Sequence, residues 1–256
     1  MNILITICGR SGSEGIKDKN LREFIGHPLI LYTLSASSLF RKYVSHYNVD
    51  IAVNSDSLKL LEIVKKTGIC SIIERPTELA QGTTPKITVI KHSVNFMEKK
   101  LSKKYDFIID LDITSPLRTI EDIMSSLDQI ISNGNCDVLF SVVCSRRNPY
   151  FNMVEIKNGF AYRSKGSSYV ARQQAPQVLD MNASIYVFRR GSLINKLKTT
   201  VFDGNCCIYC MRETYVLDID SEEDFKIMEI LAKEYFFRFN DYNLIKENIS
   251  QIYNNA

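Results

Sequence analysis

The chain has 256 residues, 45% of them hydrophobic, enough for one large α/β domain or two small ones with a genuine core. Its 32 Lys and Arg against 29 Asp and Glu give a net charge of +3, far from the dense basic face of a nucleic-acid binder, so nucleic acid is not an expected partner. No stretch approaches the roughly 20 consecutive apolar residues of a membrane span, the N-terminal apolar run is too short for a signal peptide, and the seven scattered cysteines read as reduced thiols of a cytoplasmic protein.

Through about residue 145 short apolar runs alternate with helical patterns, which predicts βαβ units and a parallel sheet. The expected strands are residues 2–8, 49–54, 70–74, 106–112 and 137–143. Between them, 28–40, 56–68, 85–100 and 119–134 carry apolar residues at helical spacing, with Pro28 and Pro85 where helices would begin and Gly68 and Gly134 where they would end. Residues 146–183 are polar, with KNG as a hairpin turn between MVEI and FAYR, and read as an inserted hairpin and arm. Residues 184–190 and 206–220 are expected to resume the sheet, and SEEDFKIMEILAKEYFFRF to form an amphipathic helix. The domain is expected to run over 1–240, leaving a peripheral Asn-rich tail at 241–256.

GRSGSEGIKDKN (9–20) follows the first strand. A Gly-rich bend there turns successive backbone N–H groups toward one concavity, which favours phosphates. The spacing of Gly9, Gly12 and Gly15 fits neither the P-loop nor G-x-G-x-x-G, but Arg10, Lys17 and Lys19 supply the charge that a triphosphate needs. Asp218 and Asp220, two apart in an apolar run, would share one face of a strand. Paired carboxylates suit a hard cation such as Mg²⁺, which keeps waters and bridges to phosphates. Asp110 and Asp112 form a competing pair. The CxxC spacing over Cys206, Cys207 and Cys210 lacks partners for a metal set, and His27, His46 and His92 show no catalytic or metal spacing.

Taken together, GRSGSEGIKDKNLREFIGHPLI, ERPTELAQGTTP, LDITSPLRTIEDI, ARQQAPQVLDMNASIYVF and VLDIDSEEDF resemble, in order over about residues 3–225, the cytidylyltransferases that make CMP-activated nonulosonic acids. The resemblance implies a Rossmann-like, GT-A-like nucleotide-diphospho-sugar transferase fold: a mixed, mostly parallel sheet with helices on both faces and an arm that serves homodimer contact. It implies transfer of CMP from CTP to the anomeric hydroxyl of a sialic-acid-like sugar acid, with pyrophosphate released and a divalent cation, Mg²⁺, held by Asp218 and Asp220. Catalysis would fall to Arg10, Lys19, Asp218 and Asp220, and nucleotide binding to Gly9, Arg10, Ser13, Lys19, Asn20 and Arg75. The sugar acid would meet Asp112, Thr114, Ser115, Arg118, Arg172, Gln173, Gln177, Asn182 and Tyr186.

Several positions depart from the family pattern. Glu14 stands where Lys is usual, and a unit charge 4 Å from a phosphate is worth roughly 4 kcal/mol at an effective dielectric of 20, so Glu14 is expected to point away or pair with Lys17 or Lys19. Asp112 replaces a common Gln, Asp180 a common Arg, Ala183 the usual Gly, and Gly82 a frequent Asp. Extra acid in the sugar pocket favours a legionaminic-type acceptor over sialic acid. Two other readings stay open: the same fold acting on another keto-deoxy acid or a sugar phosphate, or an impaired nucleotide-binding homologue partnering an active subunit.

Overall fold

The computed structural model describes residues 1–12 and 15–253. The elements follow in chain order: β1 (Asn2–Gly9), β2 (Glu23–Phe24), β3 (His27–Pro28), α1 (Ile30–Tyr43), β4 (Asn48–Ser55), α2 (Leu58–Lys66), β5 (Ser71–Glu74), α3 (Lys86–Leu101), β6 (Phe107–Leu111), α4 (Ile120–Ser132) and β7 (Val138–Cys144). A hairpin of β8 (Val154–Lys157) and β9 (Phe160–Arg163) precedes β10 (Leu179–Arg189), α5 (Arg190–Asn195), β11 (Cys206–Cys210), α6 (Glu222–Arg238) and α7 (Asn240–Tyr253).

Seven strands form one sheet in the order β11-β7-β10-β6-β1-β4-β5. Every neighbouring pair is parallel except those made by β10, which runs antiparallel to both β6 and β7. This is the mixed, mostly parallel α/β sheet expected. β1 is buried on both faces, which is why NILITI reads as a continuous apolar run: Ile3, Ile5 and Ile7 enter one core, Leu4 the other. Connections leave β1 toward β4 on one side while β6 lies on the other, so the C-terminal ends of β1 and β6 flank the crevice where such sheets bind ligands.

Several elements differ from the sequence expectations. Pro28 sits in β3, and α1 starts two residues later behind Leu29. Pro85 caps α3 and Gly68 follows α2 in the left-handed region, φ +64°, as expected, whereas α4 ends at Ser132 with Asn133 as its cap, and Gly134 has no such conformation. Asn158 and Gly159 both have positive φ, the requirement of a tight hairpin turn. The sheet resumes at Leu179, inside the stretch assigned to the arm.

Residues 240–253 are not a peripheral tail. They form α7, which buries Tyr242, Ile245, Ile249 and Ile252. The small residues of SASS in α1 let the helices approach: Ser35 Oγ donates to the Ile245 carbonyl at 2.6 Å, and Asn248 Nδ2 donates to Ser35 Oγ at 3.0 Å. An Asn that looked like surface composition is a buried hydrogen-bonding residue.

The cysteines also need correction. Cys136, two residues before β7, and Cys207 on β11 form a disulfide, Cα atoms 5.9 Å apart; Cys8, Cys70, Cys144, Cys206 and Cys210 are free. No helix among the described residues is long and apolar enough to cross a membrane.

Two positions make testable contributions to stability. Asp137, just before β7, accepts from Ser192 Oγ at 2.6 Å and Asn205 N at 2.7 Å and pairs with Lys196, tying α5 and the approach to β11 onto the sheet. Burial works to raise its carboxyl, but these donors outweigh it and hold the pKa at about 2, down from 3.8. The stabilisation is therefore complete above pH 3.8 and is lost as pH falls through about 2. Asp137→Asn is expected to cost on the order of 2 kcal/mol at pH 7 in urea unfolding, with variant and wild type converging toward pH 2. Ala183 sits at φ +52° in the irregularity of β10 between Met181 and Tyr186, where a Cβ is strained. Ala183→Gly is expected to raise stability by about 0.5–1 kcal/mol; a loss would show that the methyl packs favourably enough to offset the strain.

Candidate active site

The glycine bend leaves β1 at Gly9, whose Cβ position is closed by Ile113 Cδ1 at 2.8 Å and Asn20 Nδ2 at 3.1 Å. Gly12 takes φ +71°. Asp56, just past β4, holds the bend down: its carboxylate accepts from Ser11 N at 2.8 Å and from the Ser11 hydroxyl. Burial works to raise the Asp56 carboxyl, but those Ser11 bonds prevail and lower its pKa. No motif pointed to Asp56; it lies 45 residues from its partner in sequence and only the parallel pairing of β1 with β4 brings the two together. Ser13 and Glu14 lie outside the described residues.

Across the crevice, Leu217–Asp220 is not a strand, contrary to expectation; it is an irregular turn between a short 3-10 segment and α6. The alternation survives for another reason. Ile219 is fully buried in the main core, so Asp218 and Asp220 are turned toward the crevice. The Ile219 backbone is held from both sides: its N–H donates to the Thr114 carbonyl at 3.0 Å, and its carbonyl accepts from Lys19 Nζ at 2.5 Å. Lys19 Nζ also pairs with Asp220 Oδ1 at 2.8 Å. A Cβ on Gly15 would overlap the Asp220 carbonyl oxygen, so the bend and the turn touch through a position that only glycine fits. Ser221 caps α6, its hydroxyl paired with Asp224 in a reciprocal box.

Arg10, Gly15, Lys19, Asn20, Asp112, Thr114, Asp218 and Asp220 thus surround one open basin of about 480 Å³, with Cys8 on its floor. Burial, then the neighbouring Asp220 charge, raises the Asp218 carboxyl above its usual range. A cation between the two would relieve that repulsion. Among the described residues no third His, Cys, Asp or Glu completes a protein cage, so the donor set is two hard carboxylates with the remaining positions left to water or phosphate. That fits a Mg²⁺-type ion, with the Lys19 ammonium already balancing one oxygen of Asp220.

The other acid pair is closed. Lys86 Nζ lies 2.9 Å from Asp110 Oδ2 and 2.8 Å from Asp112 Oδ2, and Thr6 Oγ1 donates to Asp110 Oδ1 at 2.6 Å. The competing metal site is therefore an ion triad. Burial works against the Lys86 charge, but Asp110 and then Asp112 prevail and hold its pKa well above normal; burial likewise opposes the Asp112 charge, and Lys86 brings its pKa down to about 2. Sequence reasoning missed Lys86 because it opens a helix whose pattern explains it as surface.

A second cleft of about 220 Å³ adjoins the basin, lined by Arg10, Arg75, Gln81, Gly82, Lys86 and Asp112 among others. Arg75 is buried there, its Nε donating to Asn54 Oδ1 at 2.8 Å and Nη2 to the Asn54 carbonyl at 2.9 Å. Thr114 hydrogen-bonds Asp112 Oδ1 through Oγ1 at 3.1 Å. Ser115 and Arg118 are buried behind this loop, the Arg118 guanidinium donating to the Ser115 and Asp112 carbonyls. Burial lowers the Arg118 pKa to about 10. Both residues shape the loop from beneath; neither lines the basin or the cleft.

The predicted sugar segment is divided. Tyr186 reaches an apolar groove of about 210 Å³ beside Lys86. Asn182 is buried within the sheet, accepting from Ser141 Oγ at 2.6 Å. Arg172 and Gln177 lie at the base of the arm, near Ser145 and Cys144, and Gln173 is exposed beside them. None of these three lines the basin, the cleft or the groove.

The chain is similar to known cytidylyltransferases. The cytidylyltransferase family model matches residues 4–251. The chain is 37% identical over 243 residues to the post-translational flagellin modification protein B of Campylobacter coli, covering 94% of this chain and 99% of that protein. It is 37% identical over 232 residues to the CMP-N,N'-diacetyllegionaminic acid synthase of Campylobacter jejuni, covering 90% and 94%. The solved structure of a CMP:2-keto-3-deoxy-manno-octonic acid synthetase complexed with CTP superposes with a TM-score of 0.66 at 16% identity, over 91% of this chain and 99% of that one, a likeness of fold. The chain belongs to the cytidylyltransferase family that includes the CMP-nonulosonic acid synthetases, and it is a nucleotidyltransferase.

Proposed function

We propose that the chain transfers CMP from CTP to the anomeric hydroxyl of a nonulosonic sugar acid of the legionaminic type, releasing pyrophosphate. The observation that carries this reading is the meeting of the glycine bend with the Asp218–Asp220 turn through Gly15 and Lys19, which puts anion-binding and cation-binding groups around one basin. The acceptor class rests on relatives. Identity is 37% to the diacetyllegionaminic acid synthase, against 26% to an N-acylneuraminate cytidylyltransferase of Streptococcus agalactiae and 22% to a pseudaminic acid cytidylyltransferase of Campylobacter jejuni.

In this reading the backbone N–H groups of the bend, with Arg10 and Lys19, hold the triphosphate and stabilise the departing pyrophosphate. Asp218 and Asp220 would hold the divalent cation, Mg²⁺. Such an ion, when bound, supplies positive charge to phosphate oxygens. Arg75, locked by Asn54 in the adjoining cleft, faces the base. Asp112 and Thr114, which line the same basin, meet the acceptor.

The reaction is placed in the cytoplasm, where CTP is made. The hairpin of the arm exposes Val154, Ile156, Phe160 and Tyr162. An apolar ribbon of this kind supports a homodimer in which the arm covers a second copy.

Pyrophosphate release measured with CTP, UTP, ATP and GTP against a panel of nonulosonic acids tests the reading. CTP with N,N'-diacetyllegionaminic acid is expected to exceed every other pairing at least tenfold in kcat/KM. Asp218→Asn and Asp220→Asn are each expected to lower kcat by roughly 100-fold or more. Turnover that prefers another nucleotide, or that survives both substitutions, contradicts it.

A further inference from the structure

Lys86 stands at the junction of the base-side cleft and the apolar groove, and it belongs to the lining of both. Its ammonium is held by three contacts: Asp110 Oδ2 at 2.9 Å on β6, Asp112 Oδ2 at 2.8 Å in the loop just after β6, and the Tyr186 ring on β10, with its centroid 4.8 Å away. The two acids differ in what they can do. Asp110 is fully buried, and its other oxygen takes the Thr6 hydroxyl. Asp112 is partly open to the basin, its second oxygen bonded at 3.1 Å by Thr114 Oγ1, which lines the basin with it.

A carboxylate fixed at one oxygen by an ammonium and at the other by a hydroxyl has one orientation and a permanent charge. It can still accept further hydrogen bonds, because each oxygen has two lone pairs. The groove beside it, walled by Ile87, Ile90, Tyr186, Phe188, Val201 and Phe202, is apolar. Asp112 lines the basin and pairs with Lys86, which lines the groove, so an acceptor that spans basin and groove brings its polar N–H and O–H groups past this carboxylate.

We infer that Lys86 is a positioning residue for the acceptor: from the groove it lines, it clamps the Asp112 carboxylate in the wall of the basin so that Asp112 accepts hydrogen bonds from the sugar acid's amide or hydroxyl groups. This rests on the acceptor reading above and adds the residue that orients the acceptor. Lys86 itself touches neither the phosphates nor the reacting oxygen; it acts through Asp112.

Removing Lys86 alone would also strand Asp110 as a buried, uncompensated charge, which is destabilising by itself. The decisive variant is therefore Lys86→Met combined with Asp110→Asn, which leaves the buried position neutral and still able to accept from Thr6, while Asp112 loses its clamp. Acceptor KM, CTP KM and kcat are measured for wild type, Asp110→Asn, Lys86→Arg and the double variant, with thermal unfolding as a check on folding. The double variant is expected to raise acceptor KM at least tenfold with CTP KM within twofold of wild type. Lys86→Arg, which keeps the charge but moves the donors, is expected to raise acceptor KM two- to fivefold.

A double variant with wild-type acceptor KM would mean that Lys86 only neutralises Asp110, and would overturn the inference. So would equal rises in CTP and acceptor KM, the mark of general damage to the site. Failure of the wild-type chain to turn over any sugar acid is a different result: it overturns the acceptor reading, and this inference with it.

Discussion

Lys19 holds the two ends of the chain together. Its ammonium caps the Ile219 carbonyl and pairs with Asp220, across 201 residues of sequence. Without that contact the glycine bend and the acid turn would be two surface loops; with it they face one another over a basin. The geometry needs two further conditions. Gly15 must lack a Cβ where it meets the Asp220 carbonyl, and Ile219 must be anchored in the core so that its neighbours turn outward. The Thr114 carbonyl completes the arrangement by taking the Ile219 N–H, so the loop after β6 is fixed to the same turn.

Two pairs of aspartates spaced alike in sequence have opposite electrostatic fates. Asp110 and Asp112 are charge-paired within the protein, with Lys86 between them. Asp218 and Asp220 are not both so paired: one carboxyl is raised by burial and by its neighbour, and the other meets Lys19 on one oxygen only. The unsatisfied pair is the one with something left to bind. Spacing alone could not separate them, because the deciding cation, Lys86, comes from a helix some two dozen residues upstream.

Much of the layout was legible. Double-sided burial of a parallel sheet produces apolar runs, so β1, β4, β5, β6 and β7 stand out, whereas the two-residue strands β2 and β3 do not; the Asn-Gly turn between β8 and β9 needs no tertiary information. What stayed hidden depends on packing. Residues 240–253 look polar because α7 buries a single face and uses Asn248 as a hydrogen-bonding group against Ser35. The acid turn looks like a strand because Leu217 and Ile219 alternate with acids, although no neighbouring strand pairs with it. The resemblance put Arg118 against the substrate; in the structure its Nε and Nη2 donate to backbone carbonyls beneath the loop. Cys136 and Cys207 are 71 residues apart, and it is the parallel pairing of β11 with β7 that brings them together.

The bend and the acid turn face one basin because residue 15 has no side chain where it meets the Asp220 carbonyl. A methyl there must push the turn away from Lys19. Calorimetric titration of CTP with Mg²⁺ into wild type and Gly15→Ala is therefore expected to show at least a tenfold loss of CTP affinity in the variant, with the thermal unfolding midpoint little changed. Equal affinity in the two proteins would mean that the bend and the turn do not bind the nucleotide together.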